Sequence, residues 1–143
     1  MADITIRHFV ELLCKTLQEG VSPREDLLHK AHIRGWLEDQ DERFPQTLLD
    51  RRTAARIIHN FMRLELSIPD LADISPAYNL ADLYTCHACV NHVAQIFCRN
   101  LIEANQTERN GKVYEIFDML APISEAEACQ IFAKIKALKT QFF

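Results

Sequence analysis

Cys86-His-Ala-Cys89-Val-Asn-His92 is the segment whose residue types could do chemistry. Two cysteines three apart, with a histidine one turn further on, suit either a metal centre or a thiol–disulfide couple. Zinc takes four nitrogen or sulfur ligands in a tetrahedron. Cys86 and Cys89 at a helix start can approach one another, His92 supplies a third ligand, and the fourth must be His87 or come from elsewhere, such as His59. No second C-x-x-C knuckle completes the set. A redox couple has a helix start in its favour, since the helix dipole lowers a thiol pKa. It lacks the preceding strand of a thioredoxin-like unit. The third reading is packing, with the sulfurs as small apolar groups. The expectation is therefore no cofactor, with zinc on Cys86, Cys89 and His92 as the alternative.

The second chemical feature is cationic. In Leu49-Asp50-Arg51-Arg52-Thr53-Ala54-Ala55-Arg56-Ile57-Ile58-His59-Asn60-Phe61-Met62, Asp50 is a natural N-cap for the free amides of a first helical turn. Ala54, Ile57, Ile58 and Phe61 recur at helical spacing. Arg52, Arg56, His59 and Arg63 fall toward the other side, either as a solvated face or as a strip for an anionic ligand. Ser67-Ile68-Pro69 ends this helix, because the residue before a proline disfavours helical backbone.

Other candidates fall away. His29 and His32 lack the H-E-x-x-H pattern and read as surface or cap-linked residues. Glu38-Asp39-Gln40-Asp41-Glu42 reads as a solvated acidic loop, since a calcium loop needs alternating oxygen ligands and a turn glycine. No Ser-His-Asp order, glycine-rich phosphate loop or carboxylate pair stands out, so the expectation is a binding protein and not an enzyme. A net charge of −4 argues against wholesale nucleic-acid binding. No run reaches the roughly 18 apolar residues of a membrane span. Five cysteines are an odd number for a closed disulfide framework, and the first residues lack a signal-peptide core. The chain as it stands therefore reads as cytoplasmic, and an upstream export signal would move it to the cell envelope.

The elements that position these groups are helices. With 48% apolar residues in 143, one domain with its own core is expected. The first helix runs from about Thr5 to Glu19, with Phe9, Leu12, Leu13 and Leu17 inward and Gly20 as its stop. Ser22-Pro23-Arg24-Glu25 opens a second, reaching about Leu37 with Trp36 as a core anchor. The third is the central helix. A short turn lies near Pro76–Leu83, and a fourth helix spans about His87 to Ala104. Asn105 to Lys112 is polar and turns at Asn110-Gly111. Ser124 and Glu127 form a capping box for the fifth helix, which reaches about Lys139. Three glycines argue against a hairpin-rich fold, and no strong strand is visible.

Three helix starts align: Ile4-Thr5-Ile6-Arg7-His8-Phe9, Leu49-Asp50-Arg51-Arg52-Thr53-Ala54 and Ile123-Ser124-Glu125-Ala126-Glu127-Ala128. Each has an aliphatic residue, a capping residue and an amphipathic helix. Gly35-Trp36-Leu37 and Asn100-Leu101-Ile102 end the helices between them. Helix pairs recurring at roughly 70 residues mark a small repeat array. At these motifs the chain resembles the bacterial S-layer homology family, whose repeat runs Phe-x-Asp-Val, a helix ending Gly-Ile-Ile, a loop, then Ile-Thr-Arg-Ala-Glu. Leu80-Ala81-Asp82-Leu83 is similar to the opening motif. The resemblance covers most of residues 4–138. It implies an all-α fold of helix–loop–helix repeats with five main helices, one domain over 1–143, and pseudo-repeats of about 4–66 and 67–139. It also implies binding of acidic cell-wall polysaccharide. Arg51 occupies the family's arginine position, while Ile6 and Glu125 take it elsewhere. Thr53 and His8 replace the motif's glutamate, and Glu127 keeps it. Arg51, Arg52, Asp50, Ser124 and Glu127 are the implied ligand residues. In the same alignment Cys89 falls on a core alanine position. A cytosolic protein–protein module, or a homodimer built on an apolar repeat face, is the alternative.

Overall fold

The computed structural model describes residues 3–17 and 26–142. Six α-helices appear in order: α1 (Ile6–Leu17), α2 (Leu27–Ile33), α3 (Asp39–Arg43), α4 (Arg51–Leu64), α5 (Val90–Cys98) and α6 (Glu125–Phe142). Strands β1 (Asn105–Arg109) and β2 (Lys112–Ile116) pair antiparallel between α5 and α6. The expected end of the first helix at Gly20 and the Ser22 start of the second lie outside the described residues.

The three helix starts meet at one point. The Ile4 amide donates to the Ile123 carbonyl at 3.1 Å, Leu49 to Ile4 at 2.9 Å, and Ile123 to Leu49 at 3.1 Å, closing a ring. All three side chains are buried. The ring solves a problem that every helix start has, because its first amides lack intrahelical partners. In α1, Ile6 and Arg7 donate to the carbonyls of Thr47 and Pro45; in α4, Arg51 and Arg52 donate to those of Ala121 and Met119. The next amide goes to the capping side chain: His8 to Thr5 Oγ1 at 3.1 Å, Thr53 to Asp50 Oδ1 at 2.8 Å, and Glu127 to Ser124 Oγ at 3.2 Å. Each short capping segment thus fastens one helix to the loop before another.

Helices α2 and α5 end alike. Gly35 (φ 93°) and Asn100 (φ 60°) both adopt left-handed backbone. The following amides, Trp36 and Leu101, reach back to Ala31 and Ile96 carbonyls at 2.9 and 3.1 Å, a glycine-type helix terminus. Asparagine is the non-glycine residue that best tolerates this conformation. At Gly35 the φ of 93° strains any L side chain, and a Cβ there would also press on Leu64 Cδ1 at 2.8 Å, the movable end of a half-exposed side chain.

The core lies inside this frame. Phe9 of α1 stacks obliquely on Phe132 of α6 at 5.0 Å between centroids, and Trp36 meets Phe61 of α4 edge-on at 4.8 Å. The expected stripe of Ala54, Ile57, Ile58, Phe61 and Met62 is buried in full.

Several expectations need correction. The fold is mixed rather than all-α, because residues 105–116 form a hairpin. Asn110 (φ 52°) and Gly111 (φ 79°) are both left-handed, the geometry that matches strand twist in two-residue hairpins. One Asn-Gly suffices for one hairpin, so the scarcity of glycine counts against a hairpin-rich fold but not against this single hairpin. The strands escape pattern reading because they have no apolar face: Val113 is 63% and Tyr114 40% exposed. Among the described residues there are six α-helices and not five, because the Glu38–Glu42 run read as a solvated acidic loop supplies most of α3, which buries Asp41. The fourth expected helix is shorter, with a 3-10 turn over His87–Cys89 ahead of α5. The polar side of α4 is solvated only in part: helix α5 covers His59 and the segment before α6 covers Arg51, while Arg52 is half-exposed and Arg63 exposed.

Candidate ligand-binding grooves

The ring produces pseudo-equivalent interfaces between helix starts. At each, the second residue after the ring residue of one helix faces the fourth after the ring residue of another. Arg51 Nη1 lies 3.9 Å from Glu127 Oε2, and Glu125 Oε1 lies 3.3 Å from His8 Nε2. Ile6 and Thr53 share the lining of the remaining interface.

The Arg51 groove encloses about 230 Å³ between the start of α4, residues 101–105 and α6. Arg51 is held from behind. Its Nε donates to the Phe117 carbonyl at 2.6 Å, its Nη2 donates to the Glu103 carbonyl, and the guanidinium lies 5.2 Å from the Phe117 ring centroid. The acceptor loop is itself fixed: Asp82, of the Leu80–Leu83 motif, accepts the Phe117 and Asp118 amides at 2.8 Å each. Burial lowers the Arg51 pKa, and Glu127, Asp118 and Asp82 oppose that shift. Lys134 borders the same groove and donates to the Asn100 carbonyl at 2.9 Å.

Of the other expected ligand residues, Asp50 caps α4 and lies 3.7 Å from half-exposed Arg52. Ser124 is buried, and its hydroxyl both accepts the Glu127 amide and donates to Glu127 Oε1 at 3.3 Å. Arg51 and Glu127 therefore line one groove, while Ser124 is buried and supports Glu127 without lining it. Arg52 and Asp50 line the other.

That second groove encloses about 430 Å³ and carries the cysteine motif. Cys86 and Cys89 are joined as a disulfide, so neither sulfur is a free metal ligand in this structure. His92 lines the groove and contacts His59, the residue named as a distant fourth ligand. Their Nδ1 atoms are 2.8 Å apart, and His59 Nε2 lies 2.7 Å from Asp70 Oδ1. The tautomers that satisfy both contacts have His59 Nε2–H donating to Asp70 Oδ1 and His92 Nδ1–H donating to His59 Nδ1, which leaves the His92 lone pair on Nε2. Burial, reinforced by His59, Arg56 and Arg63, pushes the His92 pKa from 6.5 to about 4, against the pull of Asp70. Burial disfavours the Asp70 charge, but hydrogen bonds from His59 and Asn91, with His59 and Arg63 nearby, hold its pKa below the ordinary value.

Sequence reasoning missed the central ion pair of this groove. Arg56 Nη1 and Nη2 grip Asp41 Oδ2 and Oδ1 at 2.7 and 3.0 Å. Asp41 Oδ2 also accepts the Glu38 amide at 2.8 Å. The available signal was Glu38-x-x-Asp41, the spacing of a capping box, hidden in a run that looked merely acidic. Compared with known proteins, the chain matches no family model, no curated protein sequence and no solved structure.

Proposed function

We propose that the chain is a non-catalytic binding module that seats an acidic saccharide unit of a cell-wall polymer in the Arg51 groove. One observation carries this reading. Arg51 is a nearly buried guanidinium that lines an open groove, with Glu127 Oε2 3.9 Å from its Nη1, beyond hydrogen-bond length. Two carbonyls fix its plane, so a ligand carboxylate would meet a preoriented donor. Lys134 supplies a second cation at the rim. The resemblance of the three helix starts to S-layer homology repeats supports the polymer class, and such a ligand places the chain at the cell envelope. No helix among the described residues is long and apolar enough to cross a membrane.

The test is binding to purified acidic cell-wall polysaccharide over a salt series. Lys134→Ala should weaken binding about tenfold, as expected for losing one charge-assisted contact of about 1.4 kcal/mol. Arg51→Lys should weaken it more, because a lysine cannot present the same fork. Undiminished binding by both variants would sink the groove assignment.

A second reading has its own observation. Phe44 and Leu48 stand 58% and 57% exposed at the edge of the disulfide groove. A protein partner or a second copy of the chain would cover them, which suits a cytoplasmic interaction module. Sedimentation as a strict monomer, with no change on Phe44→Ser, would remove the homodimer.

A further inference from the structure

On faces that line neither groove, α2 and α3 bring together a set of ligand-type side chains that the sequence reading set aside. His29 and His32 are three apart on α2; Asp39 and Glu42 are three apart on α3. That spacing places each pair on one helix face. The two faces meet. His29 Nδ1 lies 2.7 Å from Glu42 Oε1, and His32 Nδ1 lies 2.5 Å from Glu42 Oε2. His32, Asp39 and Glu42 each offer one donor atom within 4.8 Å of the others.

We infer that His32, Asp39 and Glu42 form a zinc-binding site, with His29 positioning Glu42 from its second oxygen. The donor set decides the metal. One imidazole with two carboxylates suits a divalent transition ion, whereas magnesium and calcium select oxygen ligands throughout. Three protein ligands leave a fourth tetrahedral position for water. In the metal-free state both imidazoles can donate to Glu42; the ion takes the place of the His32 contact, and His29 still orients the carboxylate as an outer-shell partner. Asp39 also pairs with Arg43 at 2.8 Å, but both groups are more than half exposed, so that contact yields readily. The ion would fasten α3 to α2. Because α3 also carries Asp41 to Arg56, it would brace one wall of the disulfide groove.

Calorimetric titration of the dialysed, oxidised chain with zinc chloride tests this, with magnesium chloride as the control. The expected result is one zinc bound per chain, a raised thermal midpoint with zinc, and no magnesium binding. His32→Ala and Glu42→Gln should abolish zinc binding, and His29→Ala should weaken it about tenfold or more, as outer-shell losses do. These side chains are partly or fully exposed, so circular dichroism should show each variant folded. A Cys86→Ser/Cys89→Ser variant should bind zinc as the parent does. No zinc uptake, equal uptake by His32→Ala and Glu42→Gln, or loss of uptake only in the cysteine variant would each overturn the site.

Discussion

Glu125 and His8 repeat, with the residue types exchanged, the meeting of Arg51 and Glu127: a carboxylate stands where the arginine stands, and an imidazole where the glutamate stands. The two pairs differ in burial. Side chains of His8 and Glu125 are 42% and 57% exposed, whereas that of Arg51 is 7% exposed. Glu125→Gln should therefore change stability by at most about 0.5 kcal/mol, as exposed pairs do. Arg51→Ala strips donors from the Phe117 and Glu103 carbonyls and should cost about 2–4 kcal/mol. Urea unfolding of both variants measures the difference. Equal effects would show that Arg51 is not a strut of the ring.

Asp41 and Asp39 lie two residues apart on α3 and should answer mutation very differently. Asp41 is 6% exposed and its partner Arg56 16%, so Asp41→Ala leaves a guanidinium short of countercharge inside the protein, with Glu38 3.6 Å away as partial relief. A loss of about 3 kcal/mol is expected. Asp39 pairs with Arg43, both beyond 60% exposure, and in metal-free protein Asp39→Ala should cost no more than about 0.5 kcal/mol. Thermal unfolding of the two alanine variants in chelator decides the point; matching midpoints would refute the burial argument.

The contrast also marks what the sequence could disclose. Local signals were legible: Asp50 and Ser124 as caps, the Ala54–Phe61 stripe, the Asn110-Gly111 turn and the shared termination of α2 and α5 at Gly35 and Asn100. Each depends on neighbours a few residues away. The ring through Ile4, Leu49 and Ile123 was visible only as an alignment, because its hydrogen bonds run between residues 45 to 119 positions apart and use backbone atoms that every residue carries. Asp41–Arg56 and His59–His92 were hidden for a related reason. A charged or polar residue on a helix reads as solvated until the packing of another element removes the water, and that packing is tertiary. The hairpin failed differently: its strands have no buried face, so no alternation betrays them.

His92 gives the pH dependence a defined window. In the unfolded chain it protonates as the pH falls through 6.5, whereas in the folded chain burial and its cationic neighbours delay that step to about 4. Between those values the unfolded state binds the extra proton, so the stabilisation is complete above pH 6.5 and declines as the pH falls toward 4. The lowered Asp70 pKa acts in the same direction but below the ordinary carboxylate value, so the two contributions occupy different ranges. Urea unfolding at intervals between pH 7 and 4 should show stability falling steadily. His92→Gln, which keeps a donor for His59 without a titrating ring, should flatten that fall. An unchanged slope in the variant would move the responsible proton to a group other than His92.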